Sequence, residues 1–265
     1  MKAKVVHWRN SRKETPRTAD IGITVLAALL KWAVLNGQGI SINVATGIPR
    51  LYKGGNRQEI IWLPRDMERF AAAAEQAKKA WINDGLRLAA LTGLRLSDLV
   101  TITFEQVGEC AINKVALKKS RSKRRRVIIP MTDEPRQLLN DLESRDRLKD
   151  VNTVLVNSYG RPWTAGGFEG SFNQIRNKAG IVHVDEDGKR RRKHLHDVRG
   201  TFCTLLLTDC GLADQEAAEI MGWSKEQVAG IRKVYVDGSK VLMAIAERIA
   251  AKQKAKQVAK SSVSA

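Results

Sequence analysis

Acidic residues are the first shortage in this chain: 28 Asp and Glu stand against 46 Lys and Arg over 265 residues, for a net charge of +18. That imbalance says little about fold, but it points to a polyanionic partner, most economically a nucleic-acid backbone. Cysteine is scarce. Cys110, Cys203 and Cys210 are an odd number with no C-x-x-C spacing. This favours reduced thiols in a cytoplasmic protein and argues against a zinc site. Neither an acidic cluster nor a His/Cys spacing suggests a metal nuclease. The opening stretch MKAKVVHWRNSRKETPR has no apolar core of a secretion signal, and no run approaches 18 uncharged apolar residues. Neither a signal peptide nor a membrane span is expected. Tyrosine occurs only at positions 52, 159 and 235. Apolar residues still make up 43%, enough for a real core.

The pattern along the chain predicts a mainly α protein with one small antiparallel β-sheet, an α+β class. Residues 1–17 are charged, carry Pro16 and read as a frayed arm. Residues 18–37 show helical apolar spacing and stop at Asn36-Gly37, a C-cap signal. Residues 38–63 are turn-rich and read as a linker. From Pro64 two helices are expected, then two β-like runs, AINKVAL and RRVIIP, around the basic turn KKSRSKR. A helix capped by Thr132 or Asp133 follows, then a short strand in VNTVLVNSYGRPW. TAGGFEGSFNQIRNKAG reads as a helix and VHVDEDGKRRRK as a charged loop. Helices are expected at 197–209, 213–221, 224–234 and 239–257, and the tail from Lys252 reads as loose.

Four places carry chemistry. In TGLRLSDL, Gly93 permits a tight turn that aims Arg95 into a cleft, and Asp98 either orients that arginine or caps the next helix. His196 and Arg199 stand three apart, on one face of an expected helix. An arginine fork grips two phosphate oxygens, and a histidine donates a hydrogen bond or moves a proton near neutral pH. Trp223 offers a donor-only indole N–H. Tyr235, the one tyrosine beyond His196, has a phenol that becomes a nucleophile near neutral pH only beside cations such as Arg95 and Arg199. Each residue alone also fits an ordinary role, as a surface ion pair, a packing Trp or an interface Tyr.

Together, and in this order, the motifs resemble those of the tyrosine recombinases, the phage-integrase family. The resemblance rests on Thr92–Leu99, on His196–Arg199 with Gly200-Thr201-Phe202, and on Met221-Gly222-Trp223 through Tyr235. It covers about residues 60–250 and, weakly, 18–50. It implies a catalytic domain at 57–265, preceded at 1–56 by a partial helical core-binding segment and linker. It implies an integrase that cuts and rejoins DNA of a phage or mobile element. Arg95, His196, Arg199 and Trp223 would surround the phosphate, and Tyr235 would form a 3′-phosphotyrosyl bond without metal or cofactor. The family's hairpin lysine falls on Lys119, with Lys123 second. Lys118, Arg121, Lys123, Arg124, Arg191 and Arg192 would contact DNA. The implied partners are double-stranded attachment sites, further copies of the chain in a tetramer, and an excisionase or a host DNA-bending protein, in a bacterial or phage-encoded cytoplasmic setting.

Three departures qualify this. Trp223 stands where histidine is commoner, which removes proton transfer there but not activity. The stretch from Trp223 to Tyr235 is longer than usual. Only the end of the helical core-binding domain is recognisable, as in a truncated gene or an unusually short enzyme. Alternatives are a non-catalytic DNA-binding relative that regulates or competes with a full-length integrase, and a type IB topoisomerase-like relaxing enzyme. The segment after Tyr235 would dock on a neighbouring copy or on its own domain.

Overall fold

In the computed structural model, which describes residues 1–52, 57, 60–117, 126–236, 241–250 and 253, the chain forms two compact units, Met1–Asn56 and Arg57–Ala265. The hairpin residues Lys118, Lys119, Arg121, Lys123 and Arg124, and the tail beyond 253, lie outside the described residues.

The first unit corrects the expectation of a frayed arm, because Lys2–Asn10 is helix α1. Tertiary contacts hold it. Trp8 packs where an added Cβ on Gly22 would sit, and buried Arg9 donates to the Pro49 carbonyl. Helix α2, Pro16–Leu35, begins on Pro16, whose ring pre-sets the first turn. The return segment is fastened to it. Asn43 Nδ2 donates to the Ala27 carbonyl (2.7 Å), and the Asp20 carboxylate accepts the Leu51 and Tyr52 N–H groups (2.9 and 2.8 Å). By length and composition alone α2 is long and apolar enough to cross a membrane, with a mean hydropathy of 1.6; it also carries Arg17, Asp20 and Lys31.

The second unit is mainly helical. Helix α3 (Pro64–Gln76) starts on proline, and its Asp66 carboxylate accepts the Leu63 N–H (2.8 Å). Helix α4 (Ala80–Thr92) ends at Gly93 in the left-handed conformation, φ +60°. No other residue fits there: the turn needs positive φ, and a Cβ would overlap the Phe202 ring. A short helix α5 (Leu96–Leu99) follows. Strands β1 (Ala111–Val115) and β2 (Arg126–Pro130) pair antiparallel, Ala111 opposite Pro130 and Val115 opposite Arg126. Their alternation puts Ile112, Val127 and Ile129 into the core. Helices α6 (Asp133–Glu143) and α7 (Ala165–Lys178) come next. The expected strand within VNTVLVNSYGRPW is instead a loop with isolated bridges, Thr103 to Thr153 and Val156 to Pro162.

The charged loop VHVDEDGKRRRK proves to be a second hairpin, β3 (Val182–Val184) against β4 (Arg190–Arg192). Arginines at every β4 position hide the apolar alternation that marks a strand in sequence. The turn supplies the order: Lys189 N–H donates to Asp185 Oδ1 (2.7 Å), and Gly188 takes φ +75°. Helix α8 (Val198–Thr208) packs against α4 and against the pair α9 (Asp214–Met221) and α10 (Lys225–Tyr235). Residues 241–250 are helical. They dock on their own unit: Arg248 Nη1 donates to the Gly211 carbonyl (2.6 Å), and Ala244 is buried.

One core joins these elements. Trp62, Phe70, Phe168 and Phe172 are each no more than 1% exposed. Phe70 and Phe172 stack at 4.9 Å, and Trp62 meets Phe70 edge-on at 5.7 Å. Such ring pairs add about 0.5–1.5 kcal/mol each beyond area burial.

Candidate active site

The segment carrying His196 and Arg199 is fixed before either side chain is placed. Lys193, 3% exposed, donates to the Asp66 carboxylate (2.6 Å) and to the Ile61 carbonyl (2.8 Å). Trp62 Nε1 donates to the His194 carbonyl (3.0 Å), and Trp62 N–H donates to Thr201 Oγ1 (2.8 Å). Ile61 and Trp62 thus brace both ends of the motif. His196 sits not in the α-helix but in a 3₁₀ turn, Leu195–Asp197, that leads into α8; Arg199 is in the first turn of α8.

A cleft of about 180 Å³ opens over this turn, lined by Arg57, Ile60, His196, Asp197, Gly200, Trp223, Gln227 and Ile231. Trp223 reaches it through the end of α9. Gly222 is left-handed, and Trp223 N–H bonds back to the Ala218 carbonyl (3.0 Å), a Schellman closure. Ser224 then caps α10, accepting from the Gln227 N–H. Arg199 lies 5.3 Å from the Trp223 ring centroid, and its Nη2 donates to the Met221 carbonyl (2.9 Å).

Arg199 is 3% exposed, and its Nε is buried without a hydrogen-bond partner. Burial first, then the Arg95 charge, bring its guanidinium down to about 10. His196 keeps exposed surface on the cleft, but protein crowds its other sides. That burial, followed by the charges of Arg199, Arg95 and Arg57 against Asp197, holds its imidazole below the usual value, so the neutral form is favoured at pH 7. Arg95 and Trp223 are half-buried and His196 is exposed, so their polar atoms can reach solvent or a ligand. Of this group only the Arg199 Nε is both buried and unpaired, a donor kept from water with nothing to bond.

Arg95 caps α5 just past Gly93. Asp98 differs from both sequence expectations. Buried at 1% exposure, it accepts the Leu117 N–H (2.8 Å), which fastens the end of the β1 arm three residues from Arg95. Tyr235, half-buried, ends α10. Gln227 and Ile231 line the cleft, and Tyr235 is the next residue in that i, i+4, i+8 row, one turn beyond the lining. Arg191 and Arg192 lie in β4, with Arg191 Nε 3.6 Å from Asp185 and Arg192 exposed. Among the described residues no group of three or more His, Cys, Asp or Glu is arranged to hold a metal ion. Sequence reading missed Arg57 and Asp197. Arg57 stood in the linker reading, and Asp197 passed as a spacer inside the motif. The one local signal was an acidic residue between two cationic candidates.

The profile described as "Phage integrase family" matches residues 63–238. Among curated proteins none matches significantly. Among solved structures, a lambda integrase (75–356) dimer bound to a COC′ core site is similar with a TM-score of 0.69 at 15% identity, over 85% of this chain and 80% of that one. A lambda integrase tetramer bound to a Holliday junction is similar with a TM-score of 0.69 at 15% identity, over 84% of this chain. This chain spans 64% of that lambda chain's length. The Tn1549 transposon integrase in complex with circular intermediate DNA gives 0.64 at 19% identity, over 89% of this chain and 81% of that one. At these identities the structures show the shared fold, mostly helical with small antiparallel sheets. The profile match covers well over half of the chain, and so the chain belongs to the phage integrase family, the tyrosine recombinases.

Proposed function

We propose that this chain is a site-specific recombinase that cuts and rejoins double-stranded DNA through a 3′-phosphotyrosyl intermediate. The observation that carries this reading is a buried cation held ready beside a cleft: Arg199, with an orphaned Nε and the charge of Arg95 near it, lies against Trp223, which lines the cleft with His196. In this reading Arg95 and Arg199 hold the non-bridging phosphate oxygens, and the Trp223 indole N–H donates a third bond. The Tyr235 phenol oxygen attacks phosphorus and passes its proton to neutral His196. The P–O5′ bond breaks, and the leaving oxygen takes a proton from Lys119, with Lys123 as the second candidate. A 5′-hydroxyl from a partner strand then attacks the same phosphorus and gives its proton to the lysine left neutral by the first step, while the P–O bond to Tyr235 breaks and the tyrosine recovers its proton from His196. Bond energy is kept in the covalent link, so the cycle consumes no nucleotide.

The remaining assignments belong to the same proposal. In this reading residues 57–265 are the catalytic domain and 1–56 a helical core-binding segment with its linker. Lys118, Arg121, Lys123, Arg124, Arg191 and Arg192 meet phosphates or groove edges. The chain acts as a homo-oligomer on attachment sites in a bacterial cytoplasm, with directionality set by an excisionase or a bending protein. The test incubates the chain with nicked duplexes from the DNA around its own gene and seeks an adduct on a denaturing gel. An adduct mapped by mass spectrometry to Tyr235, and absent from Tyr235→Phe while DNA binding persists, is the expected result. Binding without adduct on every duplex rejects catalysis.

A further inference from the structure

Asp197 sits between His196 and Arg199 and is only 4% exposed. An ionised carboxylate at that depth needs partners on every lone pair it keeps from water. It accepts the His194 N–H (2.7 Å), the Arg57 Nε (3.1 Å) and the Arg57 Nη2, a two-armed grip from 140 residues away in sequence. The same Nη2 donates to the Arg192 carbonyl (3.0 Å) at the end of β4. Arg57 is itself a wall of the cleft, beside His196 and Trp223. One guanidinium therefore ties the end of the β3–β4 hairpin, the 3₁₀ turn and the cleft wall together. The planar fork of arginine suits this, and the point charge of lysine does not.

We propose that Arg57 is a positioning residue for this site: it clamps Asp197 in order to fix the turn that presents His196 to the phosphate. The groups facing His196 explain why the clamp matters chemically. Arg199 and Asp197 come from its own turn and helix, Arg95 from the start of α5, Arg57 from ahead of α3, and uncharged Trp223 and Gln227 from the end of α9 and from α10. Asp197 is the one charge among them that favours protonated imidazole, and Arg57 compensates it directly. Without Arg57 the buried carboxylate faces His196 unneutralised, and the imidazole is both loosened and more basic.

The kinetic part of the test rests on the strand-transfer reading above; the titration part does not. In the full-length chain carrying labelled histidine, the His196 resonance is identified by its loss in His196→Gln and titrated by NMR without DNA. Arg57→Met should move the His196 midpoint upward, and Arg57→Lys should lie between the two. A folded Arg57→Met with an unmoved or lowered midpoint overturns the proposal. Should Arg57→Met not fold, Asp197→Asn must move the midpoint downward, and no movement overturns the proposal equally. On nicked duplexes, Arg57→Met should lower the adduct-forming rate at saturating DNA about tenfold or more and shift the acid limb of the pH profile upward. Half-saturating DNA should change by less than about threefold. An unchanged rate with weakened binding would make Arg57 a plain DNA contact and overturn the proposal. If the unaltered chain forms no adduct, the strand-transfer reading falls, and the titration alone still decides the role of Arg57.

Discussion

Replacing Arg199 by methionine should leave the free protein as stable as before, or more so, while removing its activity. The side chain is 3% exposed, sits near a second cation, Arg95, and has a guanidinium lowered from its ordinary value to about 10, chiefly by burial. At pH 7 it is charged in both folded and unfolded states, because both values lie well above 7. The folded state therefore bears a penalty of roughly 3 kcal/mol for holding that charge, which vanishes only above the unfolded value. Against this stand the Nη2 bond to the Met221 carbonyl and the contact with Trp223, together about 2–3 kcal/mol. Methionine fills similar volume without the charge. The balance puts Arg199→Met between equal stability and about 2 kcal/mol of gain. Urea unfolding without DNA, with an unchanged slope, measures this. Adduct formation in the same variant should fall by about 10² to 10³-fold, since a transition-state cation is lost. A stability loss above about 1 kcal/mol would refute the reasoning and make Arg199 a structural clamp rather than a charge kept for its ligand.

Three further outcomes are expected. Gly93→Ala should destabilise by about 2–4 kcal/mol, adding the strain of positive φ to overlap with Phe202, as read by thermal or urea unfolding. Lys193→Met should cost about 3–5 kcal/mol by leaving Asp66 buried and unpaired, and Asp66→Asn added to it should recover part of that loss; a loss under about 1 kcal/mol would discount the pair. DNA affinity should drop about 10³-fold between ~50 and ~200 mM salt; a flat response in fluorescence anisotropy would mean that the +18 charge serves another end.

Much of the helical frame could be read from periodicity and punctuation. Pro64 opens α3, Gly93 closes α4, and Gly222 closes α9, because these residues act through their own backbone geometry. The β1–β2 hairpin was legible for the same reason, as its apolar residues alternate. The β3–β4 hairpin was not, since its order lies in Asp185 and Gly188 while arginines occupy β4. Helix α1 was not, since its apolar residues are few and its ties are to Gly22 and Pro49, far along the chain.

The sequence by itself determined the cast of the candidate site. Residue type sets which groups can be donors, nucleophiles or cations, and the short spacings within TGLR, His196–Arg199 and MGW are enough to name them. Only the tertiary structure decided how those groups are held. It placed His196 in a 3₁₀ turn, gave Asp98 to Leu117, and buried Arg199 with its Nε unpaired. It also brought Arg57 to Asp197 across 140 residues. Such pairings depend on distance in space, burial and the demand of buried charge for a partner, none of which spacing along the chain encodes.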